Sequence, residues 1–261
     1  MAIHDSLGNR MKEYESRNQY YLQKRTPVAI RVDGRSFHTF TKGFQKPFDE
    51  VLIKSMQETA KYMCENIGNA KIAYVQSDEI TIILVDYDTL ETDCWFNYRT
   101  DKLCSIAASM ATMAFNKYFF NNIDVDSEYT GSYYSAMKKG AMFDARAFNI
   151  PKEEVCNLIY WRQLDAIRNS IQMVGQSNFS HKELHGKSCN MIKDMLREEK
   201  GINWDDFPTH QKRGSACRKV EQTVNIAGTI DTISTWEVDL EMPLLKGEDR
   251  EYVDKWVYVG D

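Results

Sequence analysis

None of the six cysteines, at 64, 94, 104, 156, 189 and 217, stands in a Cys-x-x-Cys pair. That removes zinc-ribbon and dithiol redox chemistry. No apolar run is long enough to span a bilayer and no lipidation signal is present, so no membrane partner is expected. A P-loop is missing, and so is the Gly-x-Ser-x-Gly elbow of serine hydrolases. The five histidines, at 4, 38, 181, 185 and 210, form no His-Glu-x-x-His pattern. His181 and His185 lack the further ligands a zinc site needs, and they read as surface residues. Positive charge is not in excess either, with a net charge of −5 and a pI of about 5.6. This argues against nucleic-acid binding through bulk charge and leaves room for a local basic groove.

What is present suits a packed protein. The chain has 261 residues, 43% hydrophobic and 12% aromatic, enough for one large domain or a domain with an extension. Reduced, mostly buried thiols fit an expected cytoplasmic location, with a mitochondrial one left open.

Taken in order, residues 6–24 show helical spacing of Leu7, Met11, Tyr14, Tyr21 and Leu22. Pro27 breaks the chain before a strand carrying Val28, Ala29, Ile30 and Val32. Asp49 is placed to cap a helix running to about Asn66. The stretches 72–75 and 80–85 read as strands of a hairpin whose turn, Ser77-Asp78, has no glycine. A long helix with many small residues is expected over 97–119, and a fourth strand over 141–148. Further helices are expected over 152–174 and 187–199, a loop over 204–214, and short strands in about the last forty residues. The order strand, helix, strand, strand, helix, strand predicts an α+β fold with a ferredoxin-like, split βαβ antiparallel sheet of the polymerase-palm type. Residues 1–150 would hold the N-terminal helix and the palm-like catalytic domain. Residues 151–261 would form a helical extension and short strands packed on the palm.

Asp33-Gly34, at the end of the first strand, reads by itself as a turn. Asp78 and Glu79 sit at the hairpin of strands two and three, and strands one and three are central neighbours in this topology. Asp33 and Asp78 then meet at one end of the sheet. Two carboxylates and the Gly34 carbonyl make an all-oxygen site of the kind Mg²⁺ takes, weighed here above a plain turn cap. Arg31, Arg35, His38, Lys42 and Lys46 follow closely, and Arg99 and Lys102 open the next long helix. These are cations a polyphosphate selects, though each is also an ordinary surface residue type. No Lys-x-Asp-Gly motif occurs, since Arg31 stands before Val32-Asp33-Gly34. Nucleotidyl transfer would therefore be metal-assisted and direct.

The segments 31–38, Phe44–Pro47, Tyr74–Glu79, Phe143–Arg146, Trp161–Asp165 and Lys212–Ser215 resemble, in that order, the motifs of the tRNA-His guanylyltransferase family. Its members are 3′-to-5′ nucleotide polymerases. The resemblance spans about residues 5–218 and implies two Mg²⁺ ions held by Asp33, Gly34 and Asp78, with Glu79 assisting. It implies nucleotide contacts from Arg31, Arg35, Ser36, Phe37, His38, Lys46, Ser77, Arg99 and Lys102, the last two near a second nucleotide. RNA contacts are expected from Arg146, Asn169, Lys187, Lys212 and Arg213. Substrates would be tRNA, GTP and ATP, and the assembly a homotetramer.

One departure steers the reading. After Asp165 the eukaryotic members carry a His-Ile-Asn-Asn-type stretch tied to tRNA-His. Here Ile167 takes the histidine position and only Asn169 is kept. The chain is more similar to the guanylyltransferase-like branch, which adds template-paired nucleotides to truncated tRNA 5′ ends. The alternatives are addition of a single guanosine to tRNA-His, a two-metal nucleotidyl cyclase, and a non-catalytic nucleotide- or RNA-binding protein.

Overall fold

The computed structural model describes residues 6–226 and 229–260, with side chains throughout except at 224–226 and 229–231. The first five residues of the expected N-terminal unit, and residues 227 and 228 of the expected C-terminal strands, lie outside the described part. The chain runs α1 (Ser6–Ser16), β1 (Val28–Gly34), α2 (Phe37–Phe40), α3 (Glu50–Asn66), β2 (Ala70–Gln76), β3 (Glu79–Leu84), α4 (Thr100–Asn122), α5 (Thr130–Lys139) and β4 (Phe143–Asn149). It continues with α6 (Lys152–Asn178), α7 (His181–Leu184), α8 (Cys189–Lys200), α9 (Thr209–Arg213), β5 (Ser215–Ile226), β6 (Thr229–Asp239) and α10 (Glu251–Asp254).

All six strands form one antiparallel sheet in the order β4-β1-β3-β2-β5-β6. The first four strands reproduce the expected split βαβ order. β1 and β3 are flanked on both edges and covered on both faces, which is why they read as nearly continuous apolar runs. Alternate residues divide between two cores. Val28, Ile30, Val32, Ile80 and Ile82 face α3 and α4, whereas Ala29, Ile72 and Ile83 face α6 and the C-terminal segment. Ala107, Ala111 and Ala114 are buried on α4 and let that helix approach the sheet closely. Phe115 and Phe119 on the same helix pack with Phe37, Phe40, Phe44 and Tyr133, with ring centroids 5.3 Å apart for Phe40–Phe119 and 4.9 Å for Phe44–Tyr133. Each buried ring contributes about 1.5–3 kcal/mol. This cluster braces the segment that carries His38.

Asp49 caps α3 as expected, accepting from Leu52 N at 2.9 Å. It also accepts from Gln45 N at 3.0 Å and from the Tyr133 hydroxyl at 2.9 Å. The glycine-free hairpin turn is made by Ser77, which takes a left-handed φ of 49°. A side chain there costs about 1–2 kcal/mol.

Several expectations need correction. The N-terminal helix ends at Ser16, and Tyr21 instead bridges to Arg99. The long helix starts at Thr100 because Phe96, Asn97 and Tyr98 have positive φ. α5 was not expected. Residues 204–214 hold a 3-10 turn and α9 as well as loop. The expected short C-terminal strands are two long ones, β5 of 12 residues and β6 of 11. β5 joins β2 only along Ser215–Arg218 and is otherwise paired with β6 alone. Beyond that junction, among the described residues, Trp236 is the one buried side chain of the pair, packed in the core with α3, and the exposed residues around it leave little alternation, which explains the weak sequence signal.

Candidate active site

The carboxylates meet at the Gly34 end of β1. Register places Asp33 opposite Glu79 on one side and Asp144 on the other. The Gly34 amide donates to the Asp78 carbonyl at 3.0 Å, clamping the hairpin turn onto the end of β1. A side chain at Gly34 would lie 2.8 Å from Asp78 Oδ2 and 2.3 Å from the Phe37 ring. Only glycine lets the Asp78 carboxylate lie this close to the backbone. Burial raises the Asp78 pKa and the Asp33 charge adds to that, while the Ser77 hydroxyl, 3.0 Å from Asp78 Oδ1, opposes it. Two acids held this close to each other are a poor arrangement without a cation. Arg146 supplies part of one, 3.1 Å from Asp144 and 3.7 Å from Asp33.

The donors here are all oxygen, which fits Mg²⁺. Among the described residues no three His, Cys, Asp or Glu side chains converge to hold a metal ion. Mg²⁺ takes one or two carboxylates and completes its shell with water and substrate phosphate.

Glu79 is the next residue and is placed differently. It points under α6, where Arg162 Nε donates to its Oε1 at 2.7 Å. The two side chains are only 10% and 8% exposed. Burial raises the Glu79 pKa and the Arg162 charge and hydrogen bond oppose it. Arg162 also donates to Asp165 Oδ2 at 3.0 Å, and Asp165 in turn accepts from Arg168 and Asn169. The Tyr74 hydroxyl donates to the Arg213 carbonyl at 2.7 Å. α6 and α9 are thereby fastened to the hairpin that presents Asp78.

His38, Lys46, Ser77 and Asp78 line one cleft of about 720 Å³, with Phe37 at its base. Phe37 is 6% exposed and belongs chiefly to the aromatic cluster. Ser36 and Arg35 lie at the start of the same segment, where Arg35 N donates to the Met142 carbonyl. Arg31 lies opposite Arg146 in β4 and Thr81 in β3, with its Nε buried and unpartnered.

Arg99 and Lys102 are placed elsewhere. Leu22 N donates to the Tyr98 carbonyl, Gln23 N donates to Asn149, and Asn149 lies opposite Val28. They therefore stand toward the far end of β1, a strand about 20 Å long. Of the expected RNA contacts, Asn169 lines a second cleft beside the hairpin. Lys187 lies in the loop after α7, away from the carboxylates, in a separate hollow with His181 and His185. Lys212 and Arg213 are engaged with the Asp205 and Met242 carbonyls. Sequence reasoning gave Arg162 no role. Its signal was its place in the Trp161–Asp165 motif, one helical turn before a carboxylate.

A split βαβ sheet with two carboxylates at one strand end and a basic cleft beside them defines the palm-fold nucleotidyltransferases. The family described as "tRNAHis guanylyltransferase" matches residues 8–151. A bacterial tRNA(His) guanylyltransferase-like protein solved in complex with ATP is 42% identical, with a TM-score of 0.83 over 98% of this chain and all of that one. A second such structure, in complex with GTP, is 40% identical with a TM-score of 0.81, over 98% of this chain and all of that one. The Saccharomyces cerevisiae tRNA(His) guanylyltransferase is 29% identical over 79% of this chain and 89% of its own length. The chain belongs to the tRNA(His) guanylyltransferase family.

Proposed function

We propose that this protein extends truncated tRNA 5′ ends in the 3′-to-5′ direction, adding nucleotides that pair with a template. The observation that carries this is the clamp of Asp78 onto Asp33-Gly34 beside the His38–Lys46 cleft. In the first step the tRNA 5′-phosphate attacks the α-phosphate of ATP or GTP, and pyrophosphate leaves. In the second the 3′-hydroxyl of an incoming nucleoside triphosphate attacks the activated 5′-phosphate, and the nucleoside monophosphate leaves. His38 and Lys46 neutralise and orient the triphosphate of the first nucleotide. Asp33, Asp78 and the Gly34 carbonyl would hold Mg²⁺, two ions by this reading. When bound, Mg²⁺ lowers the pKa of an attacking oxygen and offsets charge on the leaving phosphate. Arg99 and Lys102, excluded from the first cleft by position, are assigned to a second nucleotide. Arg146, beside Asp33 and Arg31, is assigned to the RNA 5′ end.

Glu79 is a positioning residue in this scheme, because Arg162 occupies its carboxylate. Ile167 supports repair of several tRNAs over addition of one guanosine to tRNA-His. A homotetramer is supported by the apolar side chains left exposed on α1 and α4, among them Leu7, Tyr14, Met113 and Phe120. The test is nucleotide addition to 5′-truncated tRNAs, read by sequencing the products. Asp33→Ala and Asp78→Ala should each reduce addition by about a thousandfold or more. Full activity in either variant would overturn the assignment. Product from ATP or GTP without RNA would point to a cyclase.

A further inference from the structure

A hollow of about 930 Å³ opens where α6, α7 and α8 meet. Gln172 and Gln176 of α6, His181 of α7, and His185 and Lys187 of the following loop line it. Its floor is fixed, because Phe179 and Ile192 belong to the core that also holds Leu196 and Trp204. Gly175 lets α6 and α8 close on each other, since a side chain there would stand 2.8 Å from Ile192 Cγ2. No Asp or Glu lines the hollow. Glu183, the acid of α7, turns back to its own helix cap and accepts from Ser180 N at 2.7 Å and from the Ser180 hydroxyl at 2.6 Å.

The polar groups of this hollow are unpaired. Among the described residues the side chains of Gln172, Gln176, His181, His185 and Lys187 make no hydrogen bond and no ion pair. The two imidazoles lie side by side, with ring centroids 6.2 Å apart. Neighbouring cations are engaged instead: Lys193 donates to Asp205 at 2.8 Å, Lys212 to the Asp205 carbonyl, and Lys200 lies over the Phe179 ring. Two histidines without a third ligand do not hold a metal ion, and no such group of three occurs among the described residues. Ring and amide N–H donors around a free ammonium, with no carboxylate among them, suit an anion.

Position indicates which anion. Gln172 stands beside Met173, which lines the cleft of His38 and Lys46. The hollow and that cleft open on neighbouring faces of the same stretch of α6, and a helix with its side chains is about 10 Å across. A strand rising about 3.4 Å per nucleotide covers that distance in about three nucleotides. A nucleoside triphosphate would bring Mg²⁺, for which the hollow has no carboxylate, whereas a phosphodiester needs none. We propose that the hollow holds a backbone phosphate of the RNA about three nucleotides from the reacting end, with Lys187, His181 and His185 as its donors. This rests on the reading of RNA as the substrate and adds an anchor that contacts no base, so it grips tRNAs of different sequence alike.

The experiment measures binding of 5′-truncated tRNAs to the full protein in Mg²⁺, without nucleotide, over a series of salt concentrations. Lys187→Ala should weaken binding about three- to tenfold near about 0.1 M salt and lower the slope of log Kd on log salt by about one. Replacing His181 and His185 together by Ala should weaken it by a similar factor. All three residues are exposed, so thermal melts should match wild type. The loss should be equal for tRNAs of different sequence, and KM for ATP and GTP should not move. Single methylphosphonate linkages placed in turn near the 5′ end, and on the strand opposite, give a second readout. One neutral linkage should weaken the wild-type complex and leave the Lys187→Ala complex no weaker. The proposal is overturned if both variants, shown folded, keep wild-type affinity and salt slope, or if no linkage is sensitive. It is also overturned if the loss appears in KM for nucleotide and not in RNA affinity, which would mark a triphosphate site. Should the wild-type protein bind tRNA through these residues yet extend none, the function reading fails and the hollow keeps its assignment.

Discussion

The two faces of the palm sheet are built on different physics. The face under α3 and α4 is dry and aromatic, with alanines admitting the helix and six rings locking the segment before α3. The face under α6 begins in the same way, with Ala29, Ile72 and Ile83 against Val155 and Ile159. Toward the Gly34 end it changes to a buried ion pair, Glu79 with Arg162, and then to open carboxylates. Packing on the first face holds the strands in place. Polar contacts on the second hold the hairpin tip where chemistry needs it. Asp78 and Glu79, adjacent in sequence, take different parts: Glu79 is bound to Arg162, whereas Asp78 lines the cleft.

The largest effect that sharpens the contrast comes from the aromatic face. Phe115 is fully buried and meets Phe37, Phe40, Phe119 and Phe143. Phe115→Ala should cost about 3–5 kcal/mol in denaturant unfolding. The protein that remains folded should keep the wild-type KM for nucleotide, because the lost contacts reach Phe37 at the base of the cleft but not Asp78, His38 or Lys46. A changed KM at full folding would mean the aromatic face also tunes the site.

Next in size is the buried pair. Arg162→Met preserves most of the packing but leaves Glu79 without its cation. The cost should be about 3 kcal/mol, limited because the carboxylate can take up a proton. The double variant Arg162→Met, Glu79→Met should recover much of that stability, since a buried ion pair replaced by apolar groups is often near neutral. Nucleotide addition should stay depressed in the double variant, because the hairpin has lost its fastening to α6. Recovery of both would show that the pair matters for stability alone.

This division explains what the sequence made readable. Strands β1 to β4 and helix α3 announced themselves because a covered face imposes period and cap, as Asp49 shows. The Asp33–Asp78 meeting followed from topology once the strand order was known. Three features stayed hidden. Ser77 adopts a glycine-like φ that its residue type does not advertise. Arg162 reads as an exposed helical charge until α6 is laid over β3. The last strands, β5 and β6, pair mostly with each other and bury only a few residues, among them Ala216, Cys217 and Trp236, too few to write a period into them. Lys212 and Arg213, expected as RNA contacts, meet the Asp205 and Met242 carbonyls here, and a basic pair reads the same in sequence whether it meets carbonyls or phosphate.

The smallest effect belongs where that ribbon joins the sheet. Asp239 accepts from Tyr252 at 2.8 Å and from Arg218 at 3.2 Å, tying β6 to β5 and α10. Burial alone would raise its pKa, but the Tyr252, Glu241 and Arg218 donors outweigh it and hold the carboxyl below its ordinary value of 3.8. A depressed folded pKa means the unfolded chain binds this proton more readily. The contribution is therefore complete above the unfolded value and is lost as pH falls through the folded one. Asp239→Asn should cost about 1 kcal/mol near neutrality, part of it screened because the pair is partly exposed. The deficit relative to wild type should shrink below about pH 4 as the wild-type carboxyl takes up its proton. Because Asp239, Arg218 and Tyr252 do not line the cleft of His38 and Lys46, KM for nucleotide should be unmoved throughout. A drop in nucleotide affinity would instead connect the ribbon to the hairpin through β2, with which β5 pairs.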